Sequence, residues 1–143
     1  MNDSQKLTVL QNIYVTVLAD TVLQMGKQNV LKKVTEEKKA AQIKSGKMMT
    51  ERFNLKKPEE VFLFFTEIFN CAKWEVYESN EKIIAECKNC KLCAMAKNLK
   101  AESPCDIYCL NPIEGMIKNI NKDLSFDIKS TLWESNKCLV KIG

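Results

Sequence analysis

Seven cysteines and not one histidine define the chemistry open to this chain of 143 residues. Five of the cysteines fall in one stretch, CKNCKLCAMAKNLKAESPCDIYC, which runs from Cys87 to Cys109. Thiolates at such short spacings suit a tetrahedral zinc site. A helix rising about 1.5 Å per residue would place Cys87 and Cys93 about 9 Å apart along its axis, too far to share one ion. Cys87 is therefore expected at a strand end, with Cys90 in the loop or first turn beyond it. Cys105 and Cys109 are four apart and share a face if a helix has begun there. The zinc set predicted on these grounds is Cys87, Cys90, Cys105 and Cys109, and zinc is the one cofactor that the residues suggest. An iron–sulfur cluster of the bacterial type would need a fourth cysteine after three residues, followed by proline, and neither is present.

Two other readings compete for the same residues. Free cysteine is among the most buried residue types and packs as a small apolar group. Alternatively, a thiol becomes a nucleophile where a helix N-terminus or a cation lowers its pKa. If the chain is an enzyme, Cys105, just before Asp-Ile-Tyr-Cys, is the candidate nucleophile. The absence of histidine removes the Ser–His and Cys–His systems. Asp106 and Glu114 form no recognisable acid–base pair, and the four glycines are too scattered to cradle a phosphate. An odd cysteine count disfavours a disulfide framework. The balance is towards a binding protein and away from an enzyme.

The elements that must position these residues follow from periodicity. Residues from about Ser4 to Met25 read as a helix, with Ser4 as its cap. Leu7, Leu10, Tyr14, Val17 and Leu18 lie on one face, and Gly26 is the expected stop. A second helix is predicted from about Asn29, interrupted or ended by Gly46. KKPEEVFLFFTEIFNCA is a third, with Pro58 in its first turn and Glu59 and Glu60 at the positive end of its dipole. The period then becomes that of strands. KWEVYESNEKIIAEC and LSFDIKSTLWESNKCLVKI each alternate on both sides of a polar turn, as hairpins do. Between them lie a helix-capable stretch, roughly Cys90 to Asn98, and a longer helix from about Asp106 to Asn121. The expected fold is a single α+β domain over residues 1–143. Residues 1–56 are its helical N-terminal segment, and residues 57–143 hold a four-stranded antiparallel sheet packed with helices on one or both faces.

This order of helices, hairpin, cysteine-bearing crossover and hairpin resembles the 4-vinyl-reductase-type (hydrocarbon-binding) domain and its relatives among vesicle-tethering particle subunits. The resemblance covers roughly Glu60 to Ile142. It is carried by Glu86-Cys87, Pro104-Cys105, GMIKNI from Gly115, and KCLVKI with Cys138. In that family a cysteine, a glycine opening a buried helix and a last strand of the type Cys-x-apolar-x-apolar recur in this order. Where the family has a further cysteine and a turn glycine, this chain has Leu132, Trp133 and Glu-Ser-Asn. A weaker likeness is to L-2-amino-thiazoline-4-carboxylic acid hydrolase-like proteins, which also place a Pro-Cys pair after a short helix. The first resemblance implies a pocket for a small apolar ligand between sheet and helices. The residues expected to line it are Phe65, Phe69, Trp74, Cys93, Met95, Tyr108, Met116 and Trp133. A structural zinc module is the alternative, and a small cysteine-dependent hydrolase using Cys105 is the second.

Charge and hydropathy bear on partners. Between Lys27 and Lys57 ten basic residues face only Glu36, Glu37 and Glu51. Phe53 is the single aromatic residue among these lysines, and the stretch therefore reads as a solvated face with no nucleic-acid role. No apolar run reaches the roughly 20 residues of a membrane span. The N-terminal stretch lacks a basic leader, and Asp20 interrupts its apolar residues, so a cytoplasmic protein is expected. Leu, Ile and Val on more than one side of the first helix predict a homodimer through the N-terminal helices.

Overall fold

The computed structural model describes all 143 residues and is α+β. Three helices come first: α1 (Asp3–Lys27), α2 (Leu31–Arg52) and α3 (Pro58–Ile68). They are followed by β1 (Glu75–Ser79), β2 (Lys82–Cys87) and α4 (Lys91–Asn98). A π-helical turn, Asp106–Leu110, leads without a break into α5 (Asn111–Ile120), and β3 (Phe126–Ser130) and β4 (Cys138–Ile142) close the chain. No helix is long and apolar enough to cross a membrane.

Caps decide where the helices begin and end. Asn2, not Ser4, starts α1: its Oδ1 accepts the Gln5 N–H at 2.9 Å while Gln5 Oε1 accepts the Asn2 N–H at 2.9 Å. This reciprocal box satisfies two donors where Ser4 alone would satisfy one. Nor is Gly26 the stop. Asn29, Asn54 and Asn70 adopt positive φ of 57°, 53° and 51° just past the ends of α1, α2 and α3. Asparagine tolerates this left-handed conformation, and the Val30 N–H then returns to the Met25 carbonyl at 3.0 Å. Pro58 opens α3 as expected.

Both hairpins form and make one antiparallel sheet in the order β1-β2-β4-β3. In the first, Asn80 and Glu81 both take positive φ, 51° and 62°, as a type I′ turn demands. The second has a longer connection, residues 131–137. The two hairpins join through β2 and β4, which pair Ile83 with Ile142, Ala85 with Val140 and Cys87 with Cys138. One face of the sheet is buried, so β4 alternates buried Cys138, Val140 and Ile142 with half-buried Leu139 and Lys141. The core there combines these residues with Val61 and Phe62 of α3 and Ile113 and Ile117 of α5.

Two sequence expectations are corrected by packing. The apolar set Leu7, Leu10 and Val17 lies exposed on α1, and the buried face is Gln11, Val15, Ala19 and Val22. Ala19 and Val15 meet Leu92 and Ala96 of α4, where small side chains let the helices approach. Gly46 does not end its helix but sits in the middle of α2. A Cβ at Gly46 would stand 2.7 Å from the Gly115 carbonyl, and one at Gly115 would stand 2.6 Å from the Gln42 carbonyl oxygen. Gly115, expected to open a buried helix, is likewise inside α5. The two backbones touch at this crossing, and Asn119 Nδ2 donates across it to the Ile43 carbonyl at 2.6 Å.

The crossing yields a test. Alanine is the better helix former by about 1 kcal/mol, so an open site would be stabilised by Gly115→Ala. Here the methyl meets rigid backbone, and the expected outcome is a loss of about 1–3 kcal/mol in denaturant unfolding. An increase in stability would show that the helices part easily.

Candidate functional site

Six of the seven cysteines line one cavity. Cys87 ends β2, Cys90 is the N-cap of α4, and Cys93 lies one turn into that helix. Cys105 and Cys109 come from the π-helical turn and the residue before it, and Cys138 begins β4. Trp74, Leu92, Pro104 and Leu110 complete most of the wall around about 10 Å³, room for a single water-sized body. All seven thiols are free; Cys87, Cys93, Cys105 and Cys138 are buried, while Cys90 is only partly so.

Within the chamber the sulfurs associate in pairs. Cys93 Sγ and Cys105 Sγ are 3.4 Å apart, in hydrogen-bond contact and well beyond the roughly 2.05 Å of a disulfide. Cys87 and Cys138 face each other across β2 and β4. Backbone and hydroxyl groups reach the other lone pairs. The Cys93 N–H points at Cys90 Sγ at 3.4 Å, and the Leu132 N–H at Cys138 Sγ at 3.2 Å.

These contacts separate the thiols into donors and acceptors of protons. The hydrogen bond from the Cys93 thiol, helped by the Cys93 and Leu92 amides of the first turn of α4, draws Cys90 down to about 6. Cys93 is pushed up because its S–H is engaged by Cys105 and Cys90 and because it is buried. Hydrogen bonds from Cys93 and Ser103 lower Cys105. In the second pair Cys87 is raised by its bond to Cys138, and Cys138 is lowered by the same bond. Burial, with the neighbouring thiols Cys71, Cys90, Cys105 and Cys138, lifts Cys109 well above an ordinary thiol, and burial with the neighbouring Cys90 raises Cys71 to about 11. One proton on Cys93 cannot serve both neighbours at once. Cys90 has the further support of a helix N-terminus and partial hydration, which favour its thiolate over that of Cys105.

The zinc set predicted from spacing is only partly met. Cys87, Cys90, Cys105 and Cys109 do share the chamber, but Cys93 and Cys138 make the closest contacts with its members. No group of three or more cysteine or carboxylate side chains is placed to hold a metal ion. Pairing across a sheet register and along a helix sets the sulfurs in twos, and a tetrahedral site needs four around one point. Cys105, the nucleophile of the hydrolase reading, is buried against Cys93, and the ionised thiol at a helix start is Cys90. Its N-cap position was legible in the sequence, since Lys-Leu-Cys-Ala-Met-Ala-Lys-Asn after Cys90 is a good helix former.

The eight residues expected to line an apolar pocket divide among four places. Phe65, Phe69, Tyr108 and Met116 border a cleft of about 220 Å³ between α1, α2, α3 and the π-helical turn with α5. Trp74 and Cys93 belong to the cysteine chamber. Met95 edges a shallow groove between α1 and α4. Trp133 sits in the β3–β4 connection under the Lys97 ammonium, 5.4 Å from its ring centroid. Neither tryptophan is on a strand. The space between sheet and helices is filled by core, so the cleft lies among helices instead.

Sequence reasoning missed the polar members of that cleft, Lys38, Gln42 and Tyr14. Tyr14 stacks on Phe69 at 4.9 Å, and burial raises its hydroxyl to about 12. Gln42 is explained by the π-helical turn. There the Asn111 N–H bonds five residues back, to the Asp106 carbonyl. The same step from Ile107 reaches Pro112, which has no N–H. Gln42 Nε2 supplies the donor, reaching the Ile107 carbonyl at 2.9 Å. Its Oε1 is then left buried with no hydrogen-bond partner. No protein-family model, curated protein or solved structure matches the chain.

The assignment of the thiolate is open to direct measurement. Alkylation by iodoacetamide is expected to be fastest at Cys90, with a rate that falls as pH drops through about 6 and levels off above it. Peptide mapping after brief exposure at pH 7 checks the site, and preferential modification of Cys71 would contradict the geometry.

Proposed function

We propose that the protein binds a small, mainly apolar ligand in the cleft between α1, α2, α3 and the π-helical turn. The observation that carries this reading is a mainly apolar cleft, lined by Tyr14, Phe65, Phe69 and Met116, one of whose wall residues, Gln42, holds a buried Oε1 with no hydrogen-bond partner. A buried acceptor without a donor costs about 1–3 kcal/mol, which a ligand O–H or N–H would recover. The resemblance of the element order to hydrocarbon-binding domains supports the same class. At about 220 Å³ the cleft is smaller than the roughly 300–1,000 Å³ of drug-sized sites. Tyr14, Phe65, Phe69 and Tyr108 favour a flat skeleton, aromatic or unsaturated. The ligand class is therefore a compact ring or short isoprenoid bearing one donor.

A homodimer through α1 belongs to the same proposal. Leu10, Ile13 and Val17 are 63%, 53% and 55% exposed along one side of that helix. Apolar surface gathered this way is unusual on a monomer. Sedimentation equilibrium should give a dimer, and Ile13→Glu should shift it to monomer with little change in unfolding. A wild-type protein that stays monomeric at high concentration would remove the dimer.

The ligand reading is tested by thermal shift with phenol, indole and short isoprenoid alcohols against matched hydrocarbons without a donor. Binding to the folded state raises the melting temperature with concentration. The donor-bearing compounds should raise it more, and Gln42→Leu should erase that advantage while leaving hydrocarbon binding. Tryptophan fluorescence should stay nearly constant, because Trp74 and Trp133 lie outside the cleft. No shift with any compound, or an undiminished preference in Gln42→Leu, would overturn the proposal.

A further inference from the structure

The cysteine chamber has a use that ligand binding in the cleft does not touch. Cys90-Lys-Leu-Cys93 begins α4, with the first cysteine as N-cap and the second at the third helical position. The Cys93 amide already points at Cys90 Sγ at 3.4 Å, so the first sulfur stands over the turn that carries the second. Cys105 Sγ touches Cys93 Sγ from the other side, at 3.4 Å. The exposure is graded in the same order: Cys90 partly exposed, Cys93 and Cys105 buried. From this arrangement we infer that Cys90 and Cys93 form a thiol–disulfide exchange site for small-molecule disulfides, with Cys90 as the entering and Cys93 as the resolving sulfur.

The steps balance with a disulfide RSSR as the oxidant. Cys90 Sγ, as thiolate, attacks one sulfur of RSSR; the S–S bond breaks and RS⁻ leaves, taking a proton from water. Cys93 then loses its proton to water and attacks Cys90 Sγ in the mixed disulfide, breaking the bond between Cys90 Sγ and the probe sulfur. The second RS⁻ departs and takes a proton from water. One RSSR is reduced to two RSH while two protein thiols become the Cys90–Cys93 disulfide. Partial exposure at the N-cap of α4 suits Cys90 to enter first, and the buried Cys93 one turn on suits the resolving role. The other chamber pair, Cys87 and Cys138, has no partly exposed member and does not take part.

The test uses the full chain, fully reduced, with 2-hydroxyethyl disulfide as the probe. The expected result is release of two thiols per chain and a protein that has lost two hydrogens without retaining probe. Peptide mapping under non-reducing conditions should find Cys90 joined to Cys93. Cys93→Ser should trap half of the probe on Cys90, and Cys71→Ser should behave as wild type. Circular dichroism and melting temperature establish that each variant is folded, and the wild-type mapping stands whether or not they are. A stable probe adduct on wild-type Cys90, a disulfide between any other pair, or no thiol release would each overturn the inference.

Discussion

The close crossing of α2 and α5 is the constraint on which the rest of the structure depends. Gly46 and Gly115 allow two backbones to touch, and no side chain can stand between them. That contact brings Gln42 within reach of the Ile107 carbonyl and lets α2 support a helix whose first turn is wound as π. A π-helical turn inserts an extra residue and swings the side chains around the axis. Here it sends Tyr108 to the cleft and Cys105 and Cys109 to the chamber, so both candidate sites hang on the same few residues.

The chamber shows how buried thiols are accommodated in a protein without histidine. A group of ionised sulfurs would repel one another, and full protonation would leave lone pairs without donors. Two S–H donors, Cys93 and Cys87, each serve a neighbour, while the Cys93 and Leu132 amides serve Cys90 and Cys138. The sulfurs accept these weak donors at little cost, and they also pack as ordinary core beside Trp74 and Leu110. The α4 terminus and partial solvation favour negative charge at Cys90 over the buried sulfurs.

The cleft is built on the opposite compromise. Its walls are core-like, yet a glutamine that repairs the backbone near Pro112 leaves an oxygen without a partner. The same amide orders the π-helical turn with one end and keeps a buried, unmet acceptor at the other. The cleft and the chamber are lined by different residues, the cleft by aromatic and polar side chains of the helices and the chamber by sulfurs.

The sequence by itself determined the secondary structure and the fold class. Period-2 alternation on each side of Glu-Ser-Asn specified both hairpins, and Pro58 with two glutamates specified the start of α3. These are local effects, written in neighbouring residues. It also located the cysteines that matter, since Cys87 to Cys109 supplied five of the six around the chamber. Their pairing was not legible. Whether Cys93 meets Cys105, or Cys87 meets Cys138, depends on strand register and on where one helix crosses another. Zinc spacing along the chain carries none of that information. The buried face of α1 was misjudged for a similar reason: Val15 and Ala19 were chosen by the close approach of α4, although the more hydrophobic stripe lay elsewhere. Gly46 and Gly115 read as helix punctuation, yet Gly46 lies against the backbone of Gly115 and Gly115 against that of Gln42. Tertiary structure decided these matters because contacts between elements distant in the sequence leave no periodic trace in either one.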